Sequence, residues 1–424
     1  MIFRDALRSL RDDFTRSFFY WLTLLLTTMF IYLFFHIMNS DPVGVGFLEG
    51  GTDPIATGIT ITVVIICMMA ILFANDFFIK NKAKEIAVRL VCGATAYQLA
   101  LYLLIQTTIL LLIALPLGIL LAQLLIPFLN SVLSTYMQSE FIIGIHPQGN
   151  LLTTIILGMV IFWILMLNLS FALSTGAALM LNRGSMTRSS GSSLFYNAAI
   201  SGKLKGALWL VLFLAPIVFF YINPNYIIVM SLLSFVGFVK CVDQVFVPWI
   251  SKRLKRFDKQ PEKMVYEGFV RVDLQLMKNN ILLFMICAVL LTTALIVKQT
   301  PAIELMLYLL SYIVMNVLLS LAIMFKYSTE LSVRSLYFRS LHNIGYTEKQ
   351  LRSIAGNEVT MFYLIILALA MLYLGNIFIS QIIAGKLTVT FALVLTGLFV
   401  LPLFVCYIVN RVYYNRLIVI TREK

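Results

Sequence analysis

The sequence predicts an all-α protein that crosses a membrane many times. Two observations carry this. The 424 residues are 61% hydrophobic and only 12% charged, with a mean hydropathy of +0.95. A soluble domain is nearer half apolar and one quarter charged. The apolar residues also gather into ten runs of membrane-spanning length, near 18–38, 56–76, 99–126, 151–172, 206–222, 226–247, 281–297, 304–325, 359–380 and 389–410.

The basic residues orient these runs. Twenty-nine of the 32 Lys and Arg fall on the termini and on alternate connecting segments, Lys240 falls near the inner end of the sixth run, and only Lys298 and Lys386 fall on the other segments. Basic loops stay in the cytoplasm, so both termini are expected there. The net charge of +13 then reflects topology and contact with lipid headgroups rather than nucleic acid. The five cysteines are scattered and none lies in an outer segment, which argues against a disulfide framework or a metal cluster. The first apolar run is too long for a cleaved signal peptide.

The chain is written twice. Gly93-Ala94-Thr95 followed by Gln98-Leu99 returns as Gly345-Tyr346-Thr347 followed by Gln350-Leu351, at an offset of 252. At the same offset Gln106 pairs with Glu358. Upstream, "RDDF" (11–14) and "RVDL" (271–274) each lead into a run carrying a Thr-Thr pair, at 27–28 and 292–293. Two parallel four-helix repeats therefore follow, joined by a two-helix hairpin that keeps them parallel. The expected domains are 1–182 for the first half, 183–248 for a linker and central hairpin, and 249–424 for the second half. Residues 183–193, "RGSMTRSSGSS", read as a flexible linker.

Each half also projects an amphipathic elbow below the membrane. The stretch 75–91 extends the second run, Gly93 suits the left-handed turn that ends a helix, and Thr95 suits the cap of the next. Residues 331–344, Gly345 and Thr347 do the same in the second half, with Glu348 in the first turn of the new helix. Glu85, Ile86, Arg89, Gly93 and Thr95, and Arg339, Gly345, Thr347 and Gln350, are the candidate residues for docking a partner. Polar residues inside the apolar runs are costly. Gln106, Glu358 and Asn168 are therefore candidates for coupling within the membrane, against the plainer reading of interhelical hydrogen bonds. No zinc-protease, nucleophile-elbow or phosphate-loop motif is present, and "SGKLKG" (201–206) is not a phosphate loop. No catalytic or metal-ligating residue is expected, and His36, His146 and His342 are dispersed.

"KEIAVRLVCGAT" (84–95) resembles the signature of FtsX-like permeases, the membrane subunits of mechanotransmission ABC systems of the MacB type. Glu85, Ile86, Arg89, Gly93 and Ala94 match it, and Ala87 stands where a glycine is usual. Glu358 occupies a family position that Gln106 departs from. The ten-helix plan is similar to that of bacitracin-export permeases, without their large extracellular domain: the corresponding loop is 298–303. The resemblance implies a transport subunit that carries no cofactor itself. ATP and Mg would bind two copies of a separate cytoplasmic ATPase, which the elbows would grip. It implies a multi-pass protein of a bacterial cytoplasmic membrane, exporting or removing an amphipathic antimicrobial peptide or a lipid-like compound. The alternative is a subunit that signals to a sensor histidine kinase or a cell-wall enzyme and transports nothing.

Overall fold

The computed structural model describes residues 2–12, 14–38, 54–137, 143, 147–174, 202–222, 227–254, 261–297 and 302–420. The 183–193 linker, the first outer loop through residue 53 and the 223–225 turn lie outside them. The described residues form α1 (Ile2–Asp12), α2 (Phe14–Met38), α3 (Pro54–Val91), α4 (Ala96–Met137), α5 (Pro147–Ser174), α6 (Gly202–Ile222) and α7 (Ile227–Cys241). A π-helical turn, Val242–Phe246, leads into α8 (Val247–Leu254), followed by α9 (Pro261–Val297), α10 (Ala302–Asn343), α11 (Glu348–Ile383) and α12 (Val389–Ile420). The protein is an all-α, multi-pass membrane protein. Among the described residues, eight helices are long and apolar enough to span, and two shorter apolar stretches, Ile61–Asn75 and Gly206–Ile222, fall in the second and fifth runs. Only helices satisfy every backbone group within their own segment inside lipid.

The chain divides into two compact units, Met1–Leu194 with Thr300–Val314, and Phe195–Gln299 with Met315–Lys424. In the first, α2 packs against α3, α4 and α5. The α2–α4 crossing is close because residue 118 is glycine. A Cβ there would lie 2.9 Å from both the Leu25 carbonyl oxygen and the Thr28 Cβ. Thr27 and Thr28 return their hydroxyls to the carbonyls of Thr23 and Leu24, at 2.6 and 2.7 Å, so they add no unpaired donor to that crossing. Beside it, Tyr20 stacks on Phe78 and donates to Asn75 Oδ1 at 3.2 Å.

The second unit repeats the packing. Its α9 lies against α11 as α2 does against α4, and α12 lies against α11 as α5 does against α4. Thr292 and Thr293 bond back to Ala288 and Val289 as their counterparts do. Ala370, small and fully buried, stands 252 residues after Gly118. The α6–α7 hairpin belongs to this unit. Ser234 and Tyr373 both donate to the Phe213 carbonyl, at 2.6 and 2.7 Å, and Ser380 donates to the Phe220 carbonyl at 2.5 Å.

Gly118→Val should therefore force α2 and α4 apart and lower thermal stability of the detergent-solubilised protein, by about 1–3 kcal/mol. Gly158→Ala meets nothing within 4 Å and should be neutral or stabilising by up to about 1 kcal/mol, because alanine favours helix over glycine.

Candidate functional site: two elbows and the cation behind each

The two elbows are the same structure at an offset of 252. Gly93 has φ of 91° and Gly345 has φ of 108°, a region that favours glycine. At the first, the Gly93 N–H donates to the Leu90 carbonyl at 3.1 Å and the Ala94 N–H to the Arg89 carbonyl at 3.0 Å. At the second, Gly345 donates to His342 at 3.0 Å and Tyr346 to Leu341 at 3.2 Å. This pair of bonds satisfies the last carbonyls of a helix. The next helix then starts on a reciprocal cap. Gln98 N–H donates to Thr95 Oγ1 at 3.3 Å, and Thr95 N–H donates to Gln98 Oε1 at 3.1 Å. Gln350 and Thr347 repeat both bonds, at 3.4 and 2.9 Å. Glutamine three residues after threonine is the capping-box spacing.

The tips of the elbows are apolar and open. Val88, Val91 and Tyr97 are 61%, 70% and 74% exposed around the first turn, and Ile344 is 76% exposed at the second. Gly93, Thr95, Gly345, Thr347 and Arg339 are exposed, and Gln350 is half-buried.

The rest of the first candidate set faces inward. Ile86 is fully buried with Ala6, Leu99, Ala100, Tyr102 and Leu103. Glu85 accepts from the Ser9 hydroxyl at 2.8 Å and from the Tyr102 hydroxyl at 2.6 Å. Arg89 lies 3.2 Å from Glu85 and 3.8 Å from Asp5, with its guanidinium 4.1 Å from the Tyr102 ring centre. Burial alone would raise the Glu85 carboxyl. The hydrogen bonds from Tyr102 and Ser9 and the charges of Lys82 and Arg89 outweigh it and hold the group below its ordinary value. Its contribution to stability is therefore present above the ordinary carboxylate range and lost only as pH falls through the lowered value. Behind this network sits Lys82, 1% exposed, which bonds the Ser9 hydroxyl, approaches the Ser9 carbonyl at 3.3 Å and lies 3.8 Å from Glu85. Gln106, also buried, donates to the Ala6 carbonyl at 3.4 Å. The α1 helix is thus held against the first elbow.

Arg334 stands 252 residues after Lys82 and is likewise buried. It bonds both carboxylate oxygens of Asp273 on α9, one at 3.1 Å, and also pairs with Glu358 on α11. Tyr414 on α12 donates to the other Glu358 oxygen at 2.9 Å. Phe269 lies under the guanidinium, 4.9 Å away. One cation so ties four helices, α9 to α12. Beside it, Ser328 donates to Asn410 Oδ1 at 2.8 Å, and Asn410 donates to the Tyr363 hydroxyl at 2.7 Å.

Sequence reasoning singled out Glu358 and Gln106 but passed over Lys82, Arg334, Asp273, Ser9, Tyr102 and Tyr414. The repeat offset pairs Lys82 with Arg334, and that was the available signal. Asn168 is fully buried on α5 and lies outside both networks; its neighbour Leu169 packs on the core around Ile86.

These two networks predict unequal sensitivity. Arg334→Met leaves Asp273 and Glu358 buried without their cation and should cost about 3–5 kcal/mol. Arg89→Met removes half-exposed pairs and should cost about 1 kcal/mol or less. Thermal or denaturant unfolding of the purified variants measures the difference.

Residues 57–178 match the family model described as FtsX-like permease C-terminal. No curated protein matches the chain. The matched stretch contains α3, the first elbow, α4 and α5, and the same elbow recurs after α10. Over residues 57–178, less than half of the chain, it is similar to FtsX-like permeases.

Proposed function

We propose that this permease couples to two copies of a cytoplasmic ABC ATPase, one on each elbow, and exports or removes an amphipathic peptide or a lipid-like compound. The single observation behind the docking half of this reading is the repeated elbow: the same glycine turn and threonine–glutamine cap, twice in one chain, each with an exposed apolar tip. Exposed apolar side chains around a stiff turn suit insertion into a groove, with neighbouring charges setting orientation. The termini and elbows lie on the cytoplasmic side of a bacterial cytoplasmic membrane in this reading, in keeping with the basic segments that flank them. ATP and Mg belong to the partner, whose closure pushes on the elbows.

The residues behind the turns give that push a path. Lys82 links the first elbow to α1 through Ser9, and Arg334 links the second to α9 and α11 through Asp273 and Glu358. Motion of an elbow therefore moves the helices that frame each half. For the cargo, the support is the family match together with short outer segments. The described one between α11 and α12 spans only residues 384–388, which favours a substrate entering from the bilayer over one captured by an external domain.

Val91→Asp and Ile344→Asp test the docking faces. Each takes away a side chain worth about 1.5–3 kcal/mol on burial. Association of an ATPase subunit should weaken by roughly ten- to hundredfold per elbow, since about 1.4 kcal/mol is tenfold. The double variant should lose stimulated ATP hydrolysis while still reaching the membrane. Wild-type association and hydrolysis in the double variant would overturn the docking assignment.

A further inference from the structure

The α1 helix has two faces, and the first elbow uses only one. Ala6, Ser9 and Leu10 are buried, and Asp5 reaches Arg89. Phe3 and Leu7, one turn apart, are 57% and 43% exposed. Arg4, Arg8 and Arg11 are all exposed. At 3.6 residues per turn, Phe3 and Leu7 form an apolar stripe beside the buried one, and the three arginines form the next stripe round. The span of α2 begins at Ser17, five residues after α1 ends at Asp12. That distance keeps α1 at the depth of the lipid headgroups.

We propose that α1 binds the anionic headgroups of the adjacent leaflet, and that this contact sets the position of the first elbow. Arg4, Arg8 and Arg11 meet the headgroup charge, while Phe3 and Leu7 enter the boundary with the acyl chains. An arginine-bearing face beside an aromatic and aliphatic face is the pattern of a helix lying in a membrane surface. A flat anionic surface fits better than a protein groove: the apolar stripe is two side chains long, three like charges flank it, and the span starts within two turns. The link to the elbow runs through Asp5 to Arg89, Ser9 to Glu85 and Lys82, and the Ala6 carbonyl to Gln106. Among the described residues, the second elbow is held instead by α9, with Phe269 against Tyr337 and Phe338 and Asp273 on Arg334. Its cation is enclosed by Asp273 and Glu358, both fully buried. The headgroups that α1 meets therefore act directly on the first elbow.

Peptide-level hydrogen exchange tests this on the full chain alone, so the result does not depend on ATPase docking. The purified protein is placed in nanodiscs of phosphatidylcholine, with or without one third phosphatidylglycerol. Each arginine near an anionic surface favours contact by roughly fivefold, so exchange over residues 2–12 should slow by on the order of tenfold or more with the anionic lipid. Residues 85–98 should slow with it, and residues 337–350 should not change. High salt should erase the effect, because it shortens the screening length. The Arg4→Gln/Arg8→Gln/Arg11→Gln variant, altered only at exposed positions, should also erase it. Asp5→Asn should leave the α1 response and weaken that of the elbow. Equal exchange in the two lipids overturns the proposal. So does an α1 that responds while the elbow stays unchanged, or α1 protection that appears only on adding the ATPase, whatever the lipid.

Discussion

A helix that leaves the apolar layer and returns must end, reverse and start again without stranding its terminal N–H and C=O groups. The chain solves this with one device, used twice. Glycine in the left-handed region closes the outgoing helix, and a threonine–glutamine pair opens the next. In both places a buried cation lies eleven residues before the glycine, Lys82 before Gly93 and Arg334 before Gly345. Eleven residues is close to three helical turns. Cation and turn therefore stay in fixed register along one stiff helix, and whatever holds the cation also aims the turn.

The halves then diverge in what holds the cation. Around Lys82 the partners are a serine, a half-exposed glutamate and the short helix α1. Around Arg334 they are two buried carboxylates on long membrane-spanning helices. A buried pair resists separation, because parting the charges leaves each uncompensated in a medium of low polarity. The half-exposed network is softer and responds to salt and to the surface beside it. In the proposed reading the second elbow is the fixed arm of the permease and the first is the adjustable one.

Much of this is legible in the sequence, for physical reasons. Eight of the ten apolar runs read directly as helices long enough to span, because lipid demands length and low charge. The turn reads directly because few residues take a left-handed backbone and few spacings make a reciprocal cap. Less legible is which charges of an amphipathic stretch turn inward. Lys82 stands among Lys80, Lys84 and Glu85, and nothing local sets it apart. Its burial is decided by Ser9, 73 residues away, as that of Arg334 is decided by Asp273, 61 residues away. Ile86 illustrates the same limit. Its place beside Glu85 and Arg89 suggests a docking face, and the structure puts it in the core with Tyr102. The exposed tip is instead Val88, Val91 and Tyr97.

In the proposed reading, one chain supplies both docking elements that a pair of ATPase subunits requires. Native mass spectrometry of the complex purified from its own membrane reads this directly. One permease chain bound to two ATPase subunits is the composition the account predicts. Two permease chains with two ATPase subunits, each chain engaging a single partner, would contradict it.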